Sequence, residues 1–208
     1  MQTDRIKILV YETGREKALR EAERFAEYEG FDHKEALRIR LLVEETLAMV
    51  STITQDFYAD FWLEGNKHGL CRIHLFVRTE MDINKKKELI AASKTKKNAA
   101  VKGLTGKIME LIENHLLLAS GDGADCSSTY FDLGMVDMPL APGAPVQMEG
   151  LTWSLESYRH GIDDAKKKGR DAEEAWDELE KSILGNLADD VKVAIRGNEA
   201  ELIVEKKF

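Results

Sequence analysis

The sequence is poor in the residues that staple, stiffen or anchor a chain. Among 208 residues there are two cysteines, Cys71 and Cys126, which form no short metal-type spacing. Cys71 falls on the apolar phase of a strand pattern, so a reduced intracellular protein is the expectation. The three prolines, Pro139, Pro142 and Pro145, lie close together and leave the rest of the chain free of that constraint. No apolar run has the length needed to cross a bilayer, and Met1 to Arg5 enters a strand directly without a signal-peptide core. A cytoplasmic protein with no membrane association is expected. Positive charge is in deficit: 30 Lys and Arg against 38 Asp and Glu give a net charge of −8. That balance argues against a nucleic-acid partner, which needs a clustered basic face. The five histidines, His33, His68, His74, His115 and His160, are scattered with no pair at helical ligand spacing, so no metal ligand set is predicted from them.

What is present is the composition of a folded domain, 43% hydrophobic and 33% charged. One domain over residues 1–208 is expected. Ile6, Ile8 and Val10 alternate as a first strand. Thr13 and Glu16 then form a capping pattern for a helix running to about Glu29, with Gly30 as its stop. Asp32 and Glu35 repeat that pattern before a second helix from near His33 past Val50. Phe61-Trp62-Leu63, the turn through Gly65 and Gly69, and the alternating Cys71, Ile73, Leu75 and Val77 predict a hairpin. A helix is predicted from Lys107 to about Ala119. Residues 120–172 differ in composition and read as an insertion or arm, rich in methionine and proline over 134–150. Trp176, Leu179, Ile183, Leu184 and Leu187 predict one helix, and Val191, Val193 and Ile195 lead through Gly197-Asn198 into a closing strand at Leu202 to Val204. Strands that arrive in hairpins, with helices grouped between them, imply an α+β two-layer sandwich.

The second helix carries the most informative feature. Glu44 and Glu45 sit inside its most apolar run, Leu37 to Val50. On a helical projection Glu45 shares a stripe with Leu42 and Met49, and Glu44 shares the next one with Leu37, Leu41 and Ala48. A buried carboxylate costs several kcal/mol, about the size of a lost ion pair, unless it is paired, hydrogen-bonded or bound to a ligand. The structural alternative to a functional role is an ion pair with Arg38 or Arg40.

This element order, with a carboxylate inside the second helix, resembles the Bergerat-fold family of ATP-binding domains. The family includes histidine-kinase ATPase domains, chaperone ATPases and the anti-sigma-factor serine kinases of bacteria, and the last group is the closest in look. The resemblance covers residues 5 to about 119 and returns over 173–208. It implies a mixed, mainly antiparallel sheet covered by helices, a nucleotide site for ATP with magnesium, and a regulatory role as a kinase or ATPase. Glu45 matches the family's catalytic base, with Glu44 beside it. Met49 stands where the family has an Asn that holds magnesium, and a thioether cannot replace an amide oxygen for that hard cation. Glu80 stands in for the Asp that receives the adenine amino group, and Asp82 occupies the place of the Gly after it. Asp82 also suits a helix cap for 83–92. Gly103-Leu104-Thr105-Gly106-Lys107 has the form of a phosphate-cradling turn at a helix start. An alternative alignment gives that role to 173–187, which offers Glu173-Glu174-Ala175-Trp176 and no glycine.

Three departures at one site imply that it is altered. The second functional expectation is therefore a nucleotide-independent protein-interaction module on the same scaffold, with a regulatory protein or a second copy of the chain as partner. Met135, Met138 and Met148 beside the prolines fit an adaptable docking arm as well as an ordinary loop. Cys126-Ser127-Ser128 has no identifiable base, and Asp122 and Asp125 lack the closing Glu of a calcium loop.

Overall fold

The computed structural model describes residues 1–8, 11–51, 57–66, 69–79, 103–108, 111–112, 151–168, 172–197 and 199–208. These residues form an antiparallel sheet with helices packed on one face. In chain order they run β1 (Ile6–Ile8), α1 (Tyr11–Glu29), α2 (His33–Ser51), β2 (Phe57–Gly65) and β3 (Leu70–Thr79). After a short helical segment at 104–108 come β4 (Leu151–Ser154), α3 (Leu155–Lys167), α4 (Glu173–Lys181), α5 (Ile183–Leu187), β5 (Asp190–Arg196) and β6 (Glu199–Lys207). The strand order is β1-β2-β3-β6-β5-β4. Every pairing between these strands is antiparallel, so the expected admixture of parallel strands is absent among the described residues. The reason is that each hairpin lies flat in the sheet, and the last hairpin docks its second strand antiparallel to β3.

Alternation decides which face is buried. Phe61 and Leu63 of β2, Ile73 and Leu75 of β3, Leu202 and Val204 of β6, and Val193 and Ile195 of β5 all join the core with Phe25 of α1 and Leu42 and Val43 of α2. On the outer face the same strands carry a ladder of charge. Arg72 Nε donates to Glu205 Oε1 at 2.9 Å, Lys192 lies 3.2 Å from the same carboxylate, and Arg78 pairs with Glu199 at 2.7 Å. His74 stacks on Trp62 with ring centroids 4.7 Å apart, and Arg5 lies over Trp62 at 4.3 Å.

The α1–α2 corner is written locally. Gly30 has φ +80°, with its N–H bonded to Glu27 O and the Phe31 N–H to Ala26 O, the pattern of a left-handed helix stop. Two residues on, Glu35 N–H donates to Asp32 Oδ1 at 2.8 Å and Asp32 N–H to Glu35 Oε2 at 2.7 Å, the reciprocal cap expected. Thr13 is not a cap. Helix α1 starts at Tyr11, and its approach to β1 is made at Gly14, where a Cβ would lie 2.6 Å from Ile8 Cγ2.

Two further boundaries differ from expectation. The single helix expected over Trp176 to Leu187 is broken at Ser182, whose extended backbone (φ −82°, ψ 132°) ends α4 and whose hydroxyl caps α5 through Gly185 N–H at 3.2 Å. Gly185 permits the fold-back, because a Cβ there would lie 2.3 Å from Leu179 O. Within 120–172, Leu151–Ser154 completes the sheet edge beside β5, and α3 buries Leu155, Tyr158 and Ile162 in the common core. Ser127 to Leu133 and the 134–150 arm lie outside the described residues.

Replacing Asp32 by Ala is expected to cost about 1 kcal/mol in urea unfolding, the usual worth of an N-cap side chain. Glu205 supplies a pH test. Burial raises the pKa of its carboxyl, but the hydrogen bonds and charges of Lys192 and Arg72 outweigh that and hold it below the ordinary value. The unfolded chain then binds this proton at higher pH than the folded one. The contribution is full above the unfolded pKa near about 4.3 and is lost as pH falls through the lower folded value. Glu205→Gln is expected to flatten the acid limb of a stability-against-pH curve in that window.

Candidate functional site

Helix α2 has three environments along its length. Leu42, Val43, Leu47 and Met49 are buried against the sheet and α1, and Met49 is only 2% exposed. Leu37 and Leu41 lie on the outer side at 46% and 43% exposure. Glu44 and Glu45 occupy the seams between, each half-buried. The two carboxylates diverge. Arg15 of α1 donates from Nη2 to Glu44 Oε1 at 3.0 Å, while Thr105 Oγ1 donates to Glu45 Oε1, also at 3.0 Å.

The ion-pair partner of Glu44 is therefore on the neighbouring helix and not on its own. Arg40 pairs instead with Glu23 of α1. Arg15 and Glu44 are both about one-third exposed, which puts their pair in the class worth about 0–1 kcal/mol. The Glu45 contact is of another kind, a hydroxyl donating to a carboxylate in a partly buried seam, and such bonds contribute about 1.5–3 kcal/mol.

Thr105 is delivered by the turn that the sequence singled out. Gly103 has φ +95°, which favours glycine, and no described residue lies within 4 Å of where its Cβ would be. The chain then enters the helical segment 104–108, bonded by Lys107 N–H to Gly103 O at 3.1 Å. Leu104, Ile108, Leu111 and Ile112 anchor this stretch in the core at helical spacing. The turn and the carboxylate helix, 60 residues apart, are thus brought into contact through Thr105 and Glu45. Gly106 lies within the segment, and Lys107 forms an ion pair with Glu178 of α4. Glu80 and Asp82 lie outside the described residues. Glu173 and Glu174, in the alternative alignment, form the exposed first turn of α4.

Reasoning from sequence missed Arg15 and Glu178, both on other helices. No spacing rule reaches them, because each contact depends on how two helices pack. It also missed a cleft of about 290 Å³ between α3, α4 and α5, lined by Arg159, Asp163, Trp176, Leu179, Glu180 and Asn186. Arg159 serves the fold there. Its guanidinium donates to the carbonyls of Gly185, Ala188 and Asp189 and so closes the C-terminal end of α5. Cys71 is buried, and its thiol is pushed up to about 12 by burial and by the charge of Glu29, which leaves it without thiolate character.

Among the described residues no three His, Cys, Asp or Glu side chains gather as a metal site, and no helix is long and apolar enough to cross a membrane. Set against protein families, curated proteins and solved structures, the chain matches none.

The Glu45–Thr105 contact is directly testable. Thr105→Val is expected to destabilise by about 1–2 kcal/mol, because a partly buried carboxylate loses its donor. Glu45→Gln should cost less, since an amide oxygen still accepts the bond. A double-mutant cycle on Glu45→Ala and Thr105→Val should show a coupling of about 1.5–3 kcal/mol, where additive losses would mean the bond has no worth.

Proposed function

We propose that the chain is a regulatory protein-interaction module on a nucleotide-binding type of scaffold, and that it works without ATP turnover. One observation carries the reading: the groups that would meet a nucleotide are already engaged with each other or with the core. Thr105 donates to Glu45, Lys107 pairs with Glu178, and Met49 is packed in the interior one turn after Glu45. Thr105 fixes Oε1 of Glu45, and magnesium needs a hard oxygen ligand where a buried thioether stands. In this reading the chain is a bacterial cytoplasmic regulator of the anti-sigma type in outline, with a protein partner. Its net charge of −8 supports neither a nucleic acid nor an anionic membrane surface as that partner.

A second reading is favoured by Gly103. Its left-handed backbone, with no described residue within 4 Å of where a Cβ would be, suits a turn whose N–H groups donate to an anion, so ADP or ATP would bind weakly and without magnesium.

Thermal melting with millimolar ATP or ADP, with and without magnesium, separates the two. The interaction module is expected to melt unchanged. A nucleotide present at 100 times its Kd would add about 2.7 kcal/mol, or about 5–10 °C for a chain of this size. A rise that needs magnesium and ATP together would overturn the proposal. A rise that is indifferent to magnesium and lost in Gly103→Val would establish the second reading.

A further inference from the structure

The cleft between α3, α4 and α5 is lined by groups whose donors are spent and whose acceptors are not. Both terminal nitrogens of Arg159 are turned onto the carbonyls of Gly185, Ala188 and Asp189. Asn186 Nδ2 donates to the carbonyls of Glu180 and Ser182. The Gly185 N–H goes to Ser182 Oγ, and the Trp176 indole N–H goes to Glu180 Oε1 at 2.6 Å. Left without a partner among the described residues are Glu180 Oε2, Asn186 Oδ1 and the whole carboxylate of Asp163. Asp163 is the telling one. Arg159 lies one turn before it on α3 and Lys166 one turn after, yet neither pairs with it. Arg159 serves the carbonyls that follow α5, and Lys166 Nζ sits over the Trp176 ring, 3.9 Å from its centroid.

Unsatisfied acceptors beside an indole call for a ligand that donates and carries positive charge. An ammonium has three donors and no acceptor, the complement of what the cleft offers. Lys166 shows that this ring takes such a group. We propose that the cleft is a binding site for a primary alkylammonium group, with Asp163 and Glu180 as its acceptors and its methylene stem against Trp176 and Leu179. At about 290 Å³ the cleft is at the small end of ligand sites, which suits a short alkyl chain. None of these residues belongs to the Glu45–Thr105 seam, so the site does not depend on whether a nucleotide binds there.

The same group occurs on free amines and on the lysine side chains of proteins. Two probes of equal charge separate these sources: butylamine and Nα-acetyl-lysine amide, the tighter of the two naming the source. Each is titrated into the full chain at low salt while the three indole N–H signals are followed by NMR, with Trp176→Phe identifying the relevant one. That signal alone is expected to shift, with a Kd of about millimolar order for at least one probe. Asp163→Asn should weaken binding about fivefold, the worth of an exposed ion pair. Asp164→Asn makes the same change in net charge one residue on, at a carboxylate paired with Lys167, and should leave binding unaltered. Butan-1-ol has the chain without the charge and should not move the signal. A Trp176 signal that neither amine moves at tens of millimolar would overturn the proposal. So would equal weakening by Asp163→Asn and Asp164→Asn, or a shift with butan-1-ol as large as that with butylamine.

Discussion

One row of side chains runs across all six strands, and the rest of the molecule is arranged around it. Ile6 faces Phe61, Phe61 faces Leu75, Leu75 faces Leu202, Leu202 faces Val193, and Val193 faces Trp153. The next row on the opposite face contains Trp62, His74, Ile203 and Lys192. Slipping any one strand by a residue exchanges a member of the first row for one of the second, which pushes a histidine or lysine into the core. Register is therefore held by burial, and the helices inherit their positions from it. Helices α1 and α2 have one apolar surface to lie on, and the depth of α2 on that surface determines that Leu42 and Met49 are covered while Leu37 and Leu41 are not.

How much of this is legible in the sequence depends on how far apart the deciding atoms are along the chain. The Asp32–Glu35 cap, the Gly30 stop and the strand phases of both hairpins are decided within a few residues, and pattern alone finds them. The start of α1 and the break at Ser182 are accompanied by close approaches from elsewhere, of Ile8 to Gly14 and of Leu179 to Gly185. Neither glycine stands out in the local pattern. In each case it marks a place where another backbone or side chain comes too close for a Cβ. Strand β4 was hidden for a different reason. Four residues, Leu-Thr-Trp-Ser, are too short to carry a period, and their strand character comes from β5 alongside.

The carboxylate pair shows the same division. Apolar neighbours in sequence correctly mark Glu44 and Glu45 as unusual, yet the neighbours that satisfy them lie 29 and 60 residues away. Helical projection separates the two residues onto different stripes. It does not say that one seam is filled by an arginine and the other by a threonine. No spacing in the sequence indicates the contact between the glycine turn and Glu45, which is made by a threonine hydroxyl.

Those two engagements bear differently on what the chain can do. A threonine hydroxyl is neutral, so its bond orients Glu45 while leaving the full negative charge in the seam. Arg15 neutralises Glu44 locally and keeps it near the surface, where a further cation can still approach. One helix therefore holds a fixed carboxylate towards the glycine turn and an adaptable one towards solvent. Changing the buried side of α2 disturbs the sheet, but its outer stripe contributes little to the core and is free to vary. That asymmetry separates the side of α2 that holds the fold from the side that meets solvent. Met49 lies on the buried side, filling the core that positions the helix.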